Sequence, residues 1–230
     1  MPENTPSLLA QLRRLVETGE VGDGGQLPTE RALAERFGVG RRALRAALEV
    51  LEEEGLIWRQ QGKGTFIGQR PDPTGIIAAQ MVEAVNGAAV MEARLCIEPE
   101  LAALCALRAT PEDIERMERL NEHLRMSADA GAAELWDGAL HRLIAKAAGN
   151  PVLLTSFQIL DEVRVRDDWQ ALQARARSPA AIHDTDRDHS AIVSAIAARD
   201  PARARAAMVT HLERLAGNLT RSMSQAEAAE

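Results

Sequence analysis

The chain has 230 residues, 46% of them hydrophobic, so it can bury the cores of two modest domains, and its composition excludes a disordered protein. No apolar run approaches the ~18 residues of a membrane span, and the first residues lack the basic and apolar segments of a secretory signal. The net charge of −7 arises entirely after residue 70, because residues 1–70 hold 10 basic and 10 acidic residues and the remainder holds 17 and 24. Indiscriminate binding to nucleic acid is therefore not expected, and any contact with phosphates must come from a local basic patch.

The first part of the chain is predicted to form three helices and a hairpin. Apolar residues recur at helical spacing, Thr29 is a good N-cap, and Gly38 ends the second helix. Two glycines in the connection 61–64 between β-prone runs indicate a tight hairpin. This order is typical of a winged helix-turn-helix, which places one helix in the DNA major groove. The predicted elements are helices over residues 7–18, 29–38 and 41–54 and strands at 56–58 and 65–67.

A proline-containing linker is predicted after this part, because Pro71 and Pro73 resist both helix and central strand. We expect a DNA-binding domain over 1–69, a linker over 70–74 and a helical domain over 75–222. The fold class is mainly α, with an N-terminal winged helix-turn-helix, a small β-hairpin wing and an all-helical C-terminal bundle. Helices are predicted near 75–87, 89–109, 111–129, 132–148, 151–176, 180–198 and 201–222.

The cysteine content favours a reducing compartment. Cys96 and Cys105 are the only cysteines, and both lie in a helical stretch rich in alanine and leucine. We expect them to be small buried side chains rather than a disulfide, which predicts a cytoplasmic protein.

A set of motifs that combines glycines, helix caps and arginines runs through residues 8–67. It consists of Gly25-x-Leu27-Pro28-Thr29-Glu30-Arg31, Ala34-x-x-Phe37-Gly38-Val39, Arg41-x-x-Leu44-Arg45-x-Ala47-Leu48, Glu54-Gly55-Leu56 and Gly62-Lys63-Gly64-Thr65-Phe66. In these motifs the chain resembles the GntR family of bacterial regulators.

The resemblance implies which residues contact DNA. Arg31 is expected near the backbone, Arg41 and Arg45 on base edges or phosphates, and Gly62 in a wing beside the minor groove. Arginine offers a fork to guanine, and glycine lets the backbone approach closely. Gly40 departs from the family, which usually has serine or threonine there, so the hydroxyl that would cap the helix and touch phosphate is missing.

In the predicted helical domain, several polar residues occupy helix positions that are expected to face the core. Asp137 and His141 are four residues apart and share a helix face, while His189 and His211 lie on the apolar stripes of their own helices. Buried polar groups need compensation for lost hydration, which a divalent metal would supply. Hydrogen-bonded core histidines remain the alternative.

A second set of motifs covers roughly residues 75–220. It consists of Glu92-x-Arg94, Asp137-x3-His141-x7-Gly149-Asn150-Pro151, His189-x2-Ile192-x3-Ile196, Asp200 and His211-Leu212. Here the chain resembles the FCD effector domain of the FadR-type branch of GntR regulators. The resemblance implies that Asp137, His141, His189 and His211 bind a divalent metal.

The donor set of that site suits zinc, with nickel, manganese or iron as alternatives. The resemblance also implies that Arg94 holds an organic acid in the effector pocket. The alternative role for Arg94 is an internal salt bridge with Glu92 or Glu98.

These features predict a metabolite-responsive regulator of transcription rather than an enzyme. We expect a homodimeric repressor that binds a short inverted repeat in double-stranded DNA, senses a small carboxylate and has no membrane partner. Alternatives are a purely structural metal or a metal-free acyl ligand. A metal-dependent hydrolase using the same four ligands is remote, because it needs an acid or base beside a bound water and leaves the winged helix unexplained.

Overall fold

The chain divides into two units, Met1–Arg70 and Pro71–Glu230. The structure, a computed structural model, describes residues 7–18, 25–68, 87–127, 130–164, 169 and 179–227. The predicted linker at 70–74 lies outside the described residues. So does the predicted helix near 75–87, apart from Gly87, which begins the next helix.

The N-terminal unit has the predicted order of elements. Thr29 caps its second helix by accepting a hydrogen bond from the backbone N–H of Ala32 at 3.2 Å, and Gly38 ends that helix with a left-handed φ of 64°. The hairpin is antiparallel, and the Trp58 and Phe66 rings stack across it with centroids 4.6 Å apart. The elements are α1 (Leu8–Glu17), α2 (Glu30–Phe37), α3 (Arg41–Glu53), β1 (Ile57–Gln60) and β2 (Gly64–Ile67).

Helix α3 has one apolar and one polar face. Leu44, Leu48 and Leu51 are fully buried, and the helix packs against α1, α2 and β1. Because these leucines recur every three or four residues, the intervening arginines are left on the solvent side. The core thus fixes which face of α3 is available to a partner.

The described part of the second unit is entirely helical, which confirms the predicted fold class. Prolines 111, 151 and 201 each occupy the first residue of a helix, where the missing N–H costs nothing. The predicted helix over 151–176 is described as a helix only as far as Arg164. The helices are α4 (Gly87–Arg108), α5 (Pro111–Arg125), α6 (Ala130–Ala147), α7 (Pro151–Arg164), α8 (Pro179–Ala197) and α9 (Pro201–Glu227).

Helix α4 lies at the centre of this bundle. It packs against α6, α7, α8 and α9, and α9 also packs against α8. Cys105 on α4 is buried, and burial raises the pKa of its thiol to about 12. Cys96 was predicted to be buried, but it lies on the solvent-facing side of the same helix and is exposed. Both thiols are free, and across the described residues no helix is long and apolar enough to cross a bilayer.

Candidate DNA-binding surface and metal centre

Helix α3 presents its arginines to solvent. Arg41, in the first turn, is exposed, and the Arg45 side chain is 61% exposed. Nε of Arg45 donates a hydrogen bond of 2.8 Å to Oε2 of Glu30 on α2. That hydrogen bond and the Glu30 charge raise the pKa of Arg45 further, so the guanidinium is cationic and held at the surface.

Exposed glycines leave the backbone uncovered at the start of α3 and at the tip of the wing. Gly40 is the N-cap of α3 and makes no side-chain cap hydrogen bond, as its missing hydroxyl predicts. Gly62, at the exposed tip of the hairpin, has a φ of +77°, which favours glycine. The side-chain amide of Gln26 donates a hydrogen bond of 2.6 Å to the carbonyl oxygen of Lys63 and so restrains the tip of the hairpin. Arg31, in the first turn of α2, is also exposed, so all four predicted DNA-contacting residues lie on the surface of one unit.

A cluster of one aspartate and three histidines lies in the core of the second unit. Nε2 of His189 lies 3.2 Å from Oδ1 of Asp137. The Nε2 atoms of His141 and His211 each lie 3.9 Å from the same oxygen. All four side chains are at most 2% exposed, and their donor atoms fall within 4.8 Å of one another. Helices α6, α8 and α9 thus bring together the four residues that the sequence predicted as metal ligands.

The chemistry of this cluster fits a divalent metal. Neutral imidazole nitrogens and a carboxylate oxygen are the donors of closely spaced tetrahedral zinc sites. Among the described residues, Nε2 of His141 and Nε2 of His211 are buried without a hydrogen-bond partner. Buried nitrogens of this kind cost free energy unless a ligand uses their lone pairs.

A carboxylate behind His141 orients its ring. Oε2 of Glu98, on α4, hydrogen-bonds Nδ1 of His141. When Nδ1 donates that bond, the Nε2 lone pair faces the cluster, which is the arrangement that metal-binding histidines commonly have. Glu98 is in turn held by Arg94, whose Nε donates to Oε1 at 2.5 Å and whose Nη2 donates to Oε2 at 3.4 Å. Arg94 is fully buried, so the structure shows the internal salt bridge that the sequence left as the alternative to effector binding.

Two further charged pairs surround the ligands. Nη2 of Arg164, at the end of α7, donates to Oδ2 of Asp137 at 2.5 Å and to Oε1 of Glu134 at 2.9 Å. Oδ2 of Asp188 lies 4.0 Å from Nδ1 of His211 and accepts a 2.8 Å hydrogen bond from Nε of Arg214. Arg164 thus restrains the Asp137 carboxylate, and Asp188 lies beside the His211 ring.

The electrostatics of the cluster favour ligands ready to bind a cation. Burial alone would raise the pKa of Glu98, but the charge of Arg94 and the hydrogen bonds from His141 and Arg94 outweigh it and hold that pKa well below its usual range. Burial, together with His189 and His141, holds the pKa of His211 well below its ordinary value, despite the opposing charge of Asp137. A neutral His211 is the form that donates a lone pair to a metal.

We expect the metal-stripped protein to lose stability as the pH falls below about 6.5. The unfolded chain protonates His211 near the ordinary value of 6.5, whereas the fold keeps it neutral to lower pH. The unfolded state therefore binds more protons in this window, and the free energy of unfolding falls by up to about 1.4 kcal/mol per pH unit. Urea unfolding after EDTA treatment at pH 7.5, 6.5 and 5.5 measures the slope. A His211→Gln variant with an equally steep slope would contradict this assignment.

Sequence reasoning missed the residues that support the ligands. Glu98 was considered only as a partner for Arg94, and Arg164 and Asp188 were not identified as neighbours of the cluster. Their partners are distant in sequence, and the available signal was the presence of charged residues in otherwise apolar helices.

Comparison with known proteins identifies both units. Residues 6–67 match the family of bacterial regulatory proteins named gntR, and residues 89–214 match the FCD domain. This chain belongs to the GntR family and carries an FCD domain. The resemblance seen in the sequence is confirmed.

Relatives of this GntR protein are regulators of transcription. An Escherichia coli protein whose name assigns it to regulation of the L-lactate dehydrogenase operon is 33% identical, over 88% of this chain and 81% of that protein. The transcriptional repressor NanR of Klebsiella aerogenes is also 33% identical, over 88% of this chain and 80% of the repressor. A solved Streptococcus agalactiae GntR structure is 26% identical, has a TM-score of 0.49 and covers 90% of this chain and 96% of that one. The family match and the two relatives confirm the predicted class, a DNA-binding regulator and not an enzyme.

Proposed function

We propose that this GntR-family regulator is a metal-dependent sensor of a small organic acid, and that it represses transcription as a homodimer. The observation that carries the proposal is the convergence of three histidine Nε2 atoms on one oxygen of Asp137 inside the FCD domain. The metal is zinc by donor preference, with nickel, manganese or iron as alternatives. When bound, it supplies a Lewis-acid position that a carboxylate oxygen can occupy.

DNA recognition is assigned to the exposed residues of the first unit. Arg41 and Arg45 read base edges or phosphates, Arg31 contacts the backbone, and Gly62 lets the wing approach the neighbouring groove. Two copies of α3 in a homodimer read the two halves of a short inverted repeat. Because its target is bacterial operator DNA, we place the protein in the cytoplasm.

The effector is assigned to the class of small carboxylates. The name of one relative associates it with the L-lactate dehydrogenase operon, which makes L-lactate a reasonable first probe. Arg94 was the predicted carboxylate-binding residue, but Glu98 already accepts from its Nε and Nη2, the side of the guanidinium that holds a carboxylate with two hydrogen bonds. The acid alters operator affinity if it binds one dimer conformation better than another.

Operator release should show this coupling directly. An operator duplex is selected from a random pool with the protein itself, and binding is followed by fluorescence anisotropy with acetate, L-lactate or citrate. We expect at least one acid to raise the apparent Kd about tenfold or more, a coupling of about 1.4 kcal/mol. The effect should disappear after EDTA and return with zinc. Light scattering should give twice the 24.9 kDa mass of one chain.

Each departure from this result has a distinct meaning. An acid effect that survives EDTA would make the metal structural. No effect of any of the three acids, with intact operator binding, would overturn the proposal that the FCD domain senses a small carboxylate. A monomer at micromolar concentration would remove the inverted-repeat geometry.

A further inference from the structure

Arg164 is the cation that lies directly against the metal cluster. It is the last residue of α7, is 3% exposed, and contacts Asp137 through a single nitrogen, Nη2. The other oxygen of that same aspartate is the one on which the three histidines converge. The Asp137 carboxylate therefore lies between the Arg164 guanidinium and the histidine nitrogens that would hold the metal.

Two nitrogens of the Arg164 guanidinium are buried and donate no hydrogen bond to the residues that the structure describes. Nε and Nη1 have no hydrogen-bond partner among the residues that the structure describes, because Glu134 and Asp137 both accept from Nη2. Leaving charged N–H groups buried and unsatisfied costs free energy, and a carboxylate oxygen that accepts from Nε or from Nη1 would offset part of that cost. Arg94 differs in this respect, because its Nε and Nη2 already donate to both oxygens of Glu98.

The charge of the core favours an anion once the metal is bound. The buried ionic side chains among the described residues are four carboxylates and three guanidinium groups, a net charge of −1 with neutral histidines: Glu98, Asp137, Asp161 and Asp188 against Arg94, Arg142 and Arg164. A divalent cation changes that net charge to +1. A single added carboxylate then neutralises the core, which lowers the cost of burying the whole set.

We propose that Arg164, rather than Arg94, binds the carboxylate of the effector, and that the effector is a small acid shared between Arg164 and the metal. This assignment rests on the proposed function, because it needs a metal and an acid in the FCD domain. Arg94 has a different part: it fixes Glu98, and through Glu98 it orients His141. The specificity for an acid comes from an unused N–H donor of Arg164, on Nε or on Nη1.

The test compares Arg164→Lys with Arg94→Lys. Lysine keeps a positive charge near Asp137, but its single ammonium nitrogen cannot replace Nη2 on Glu134 and Asp137 and also supply the separate unused donors of the guanidinium. Wild type and both variants are loaded with zinc, their metal content is measured by mass spectrometry, and acetate, L-lactate and citrate are titrated by calorimetry. For the acid that binds wild type, we expect Arg164→Lys to raise the Kd about 10- to 100-fold with zinc retained. Arg94→Lys should weaken acid binding less than Arg164→Lys does.

The outcomes separate this inference from the function on which it rests. Equal acid affinity in wild type and Arg164→Lys would overturn the role of Arg164 and leave acid sensing intact. Loss of zinc from Arg164→Lys would also overturn it, because Arg164 would then act by positioning Asp137. Failure of all three acids to bind zinc-loaded wild type would overturn the proposed function and this inference with it.

Discussion

Replacing Arg45 with alanine is expected to abolish specific operator binding while the protein stays folded. The Arg45 side chain is 61% exposed and contributes nothing to the core of the first unit. Its hydrogen-bond partner Glu30 forms with it an exposed ion pair of the kind whose loss changes stability little. A two-pronged contact with a base contributes about 1–3 kcal/mol, so losing it in both half-sites weakens binding by about 2–6 kcal/mol.

Anisotropy with the selected operator and with a scrambled duplex measures this loss. Arg14→Ala is the matched control, because Arg14 is exposed in the same unit and its removal changes the charge equally. We expect Arg14→Ala to retain most of the preference for the operator and Arg45→Ala to bind both duplexes alike. Undiminished specific binding by Arg45→Ala, with an unchanged melting temperature, would exclude Arg45 from base recognition.

The winged helix could be predicted because its determinants are local. Thr29 and Gly38 set the ends of α2 through hydrogen bonds and a φ angle that involve only neighbouring residues. The spacing of Leu44, Leu48 and Leu51 fixes the buried face of α3, and with it the exposed position of Arg45. Cys96 shows the limit of composition alone: it lies in an apolar helix, but its side chain is exposed.

The four residues of the metal cluster could be predicted from the sequence, whereas the residues that surround them could not. Asp137 and His141 share a face by helical spacing, whereas His189 and His211 lie on apolar stripes that must turn inward. The supporting contacts join residues far apart in the chain, 43 positions between His141 and Glu98 and 27 between Arg164 and Asp137. Spacing within a helix cannot show which helices meet. The sequence therefore left the partner of Arg94 open and gave no role to Arg164.

The second large effect is expected from His189→Ala, which should remove the stabilisation given by zinc. His189 is fully buried and its Nε2 lies nearer to the shared Asp137 oxygen than those of the other two histidines do. A metal at 100 times its Kd stabilises the folded state by about 2.7 kcal/mol, which raises the melting temperature by about 5–10 °C in a protein of this size. We expect that difference between zinc-loaded and EDTA-treated samples in wild type and little of it in His189→Ala.

The control for this variant is His183→Ala, since His183 lies on the same helix but is exposed. Helix propensity and the number of histidines change equally in the two variants, so only the buried position separates them. Zinc stabilisation that is lost in both variants would point to a site on the helix surface, and stabilisation kept in both would exclude His189 as a ligand. If His189→Ala alone loses zinc and with it the response to acid, then sensing requires the metal. If His189→Ala loses zinc and still responds to acid, the metal has a structural role and an arginine binds the carboxylate without it.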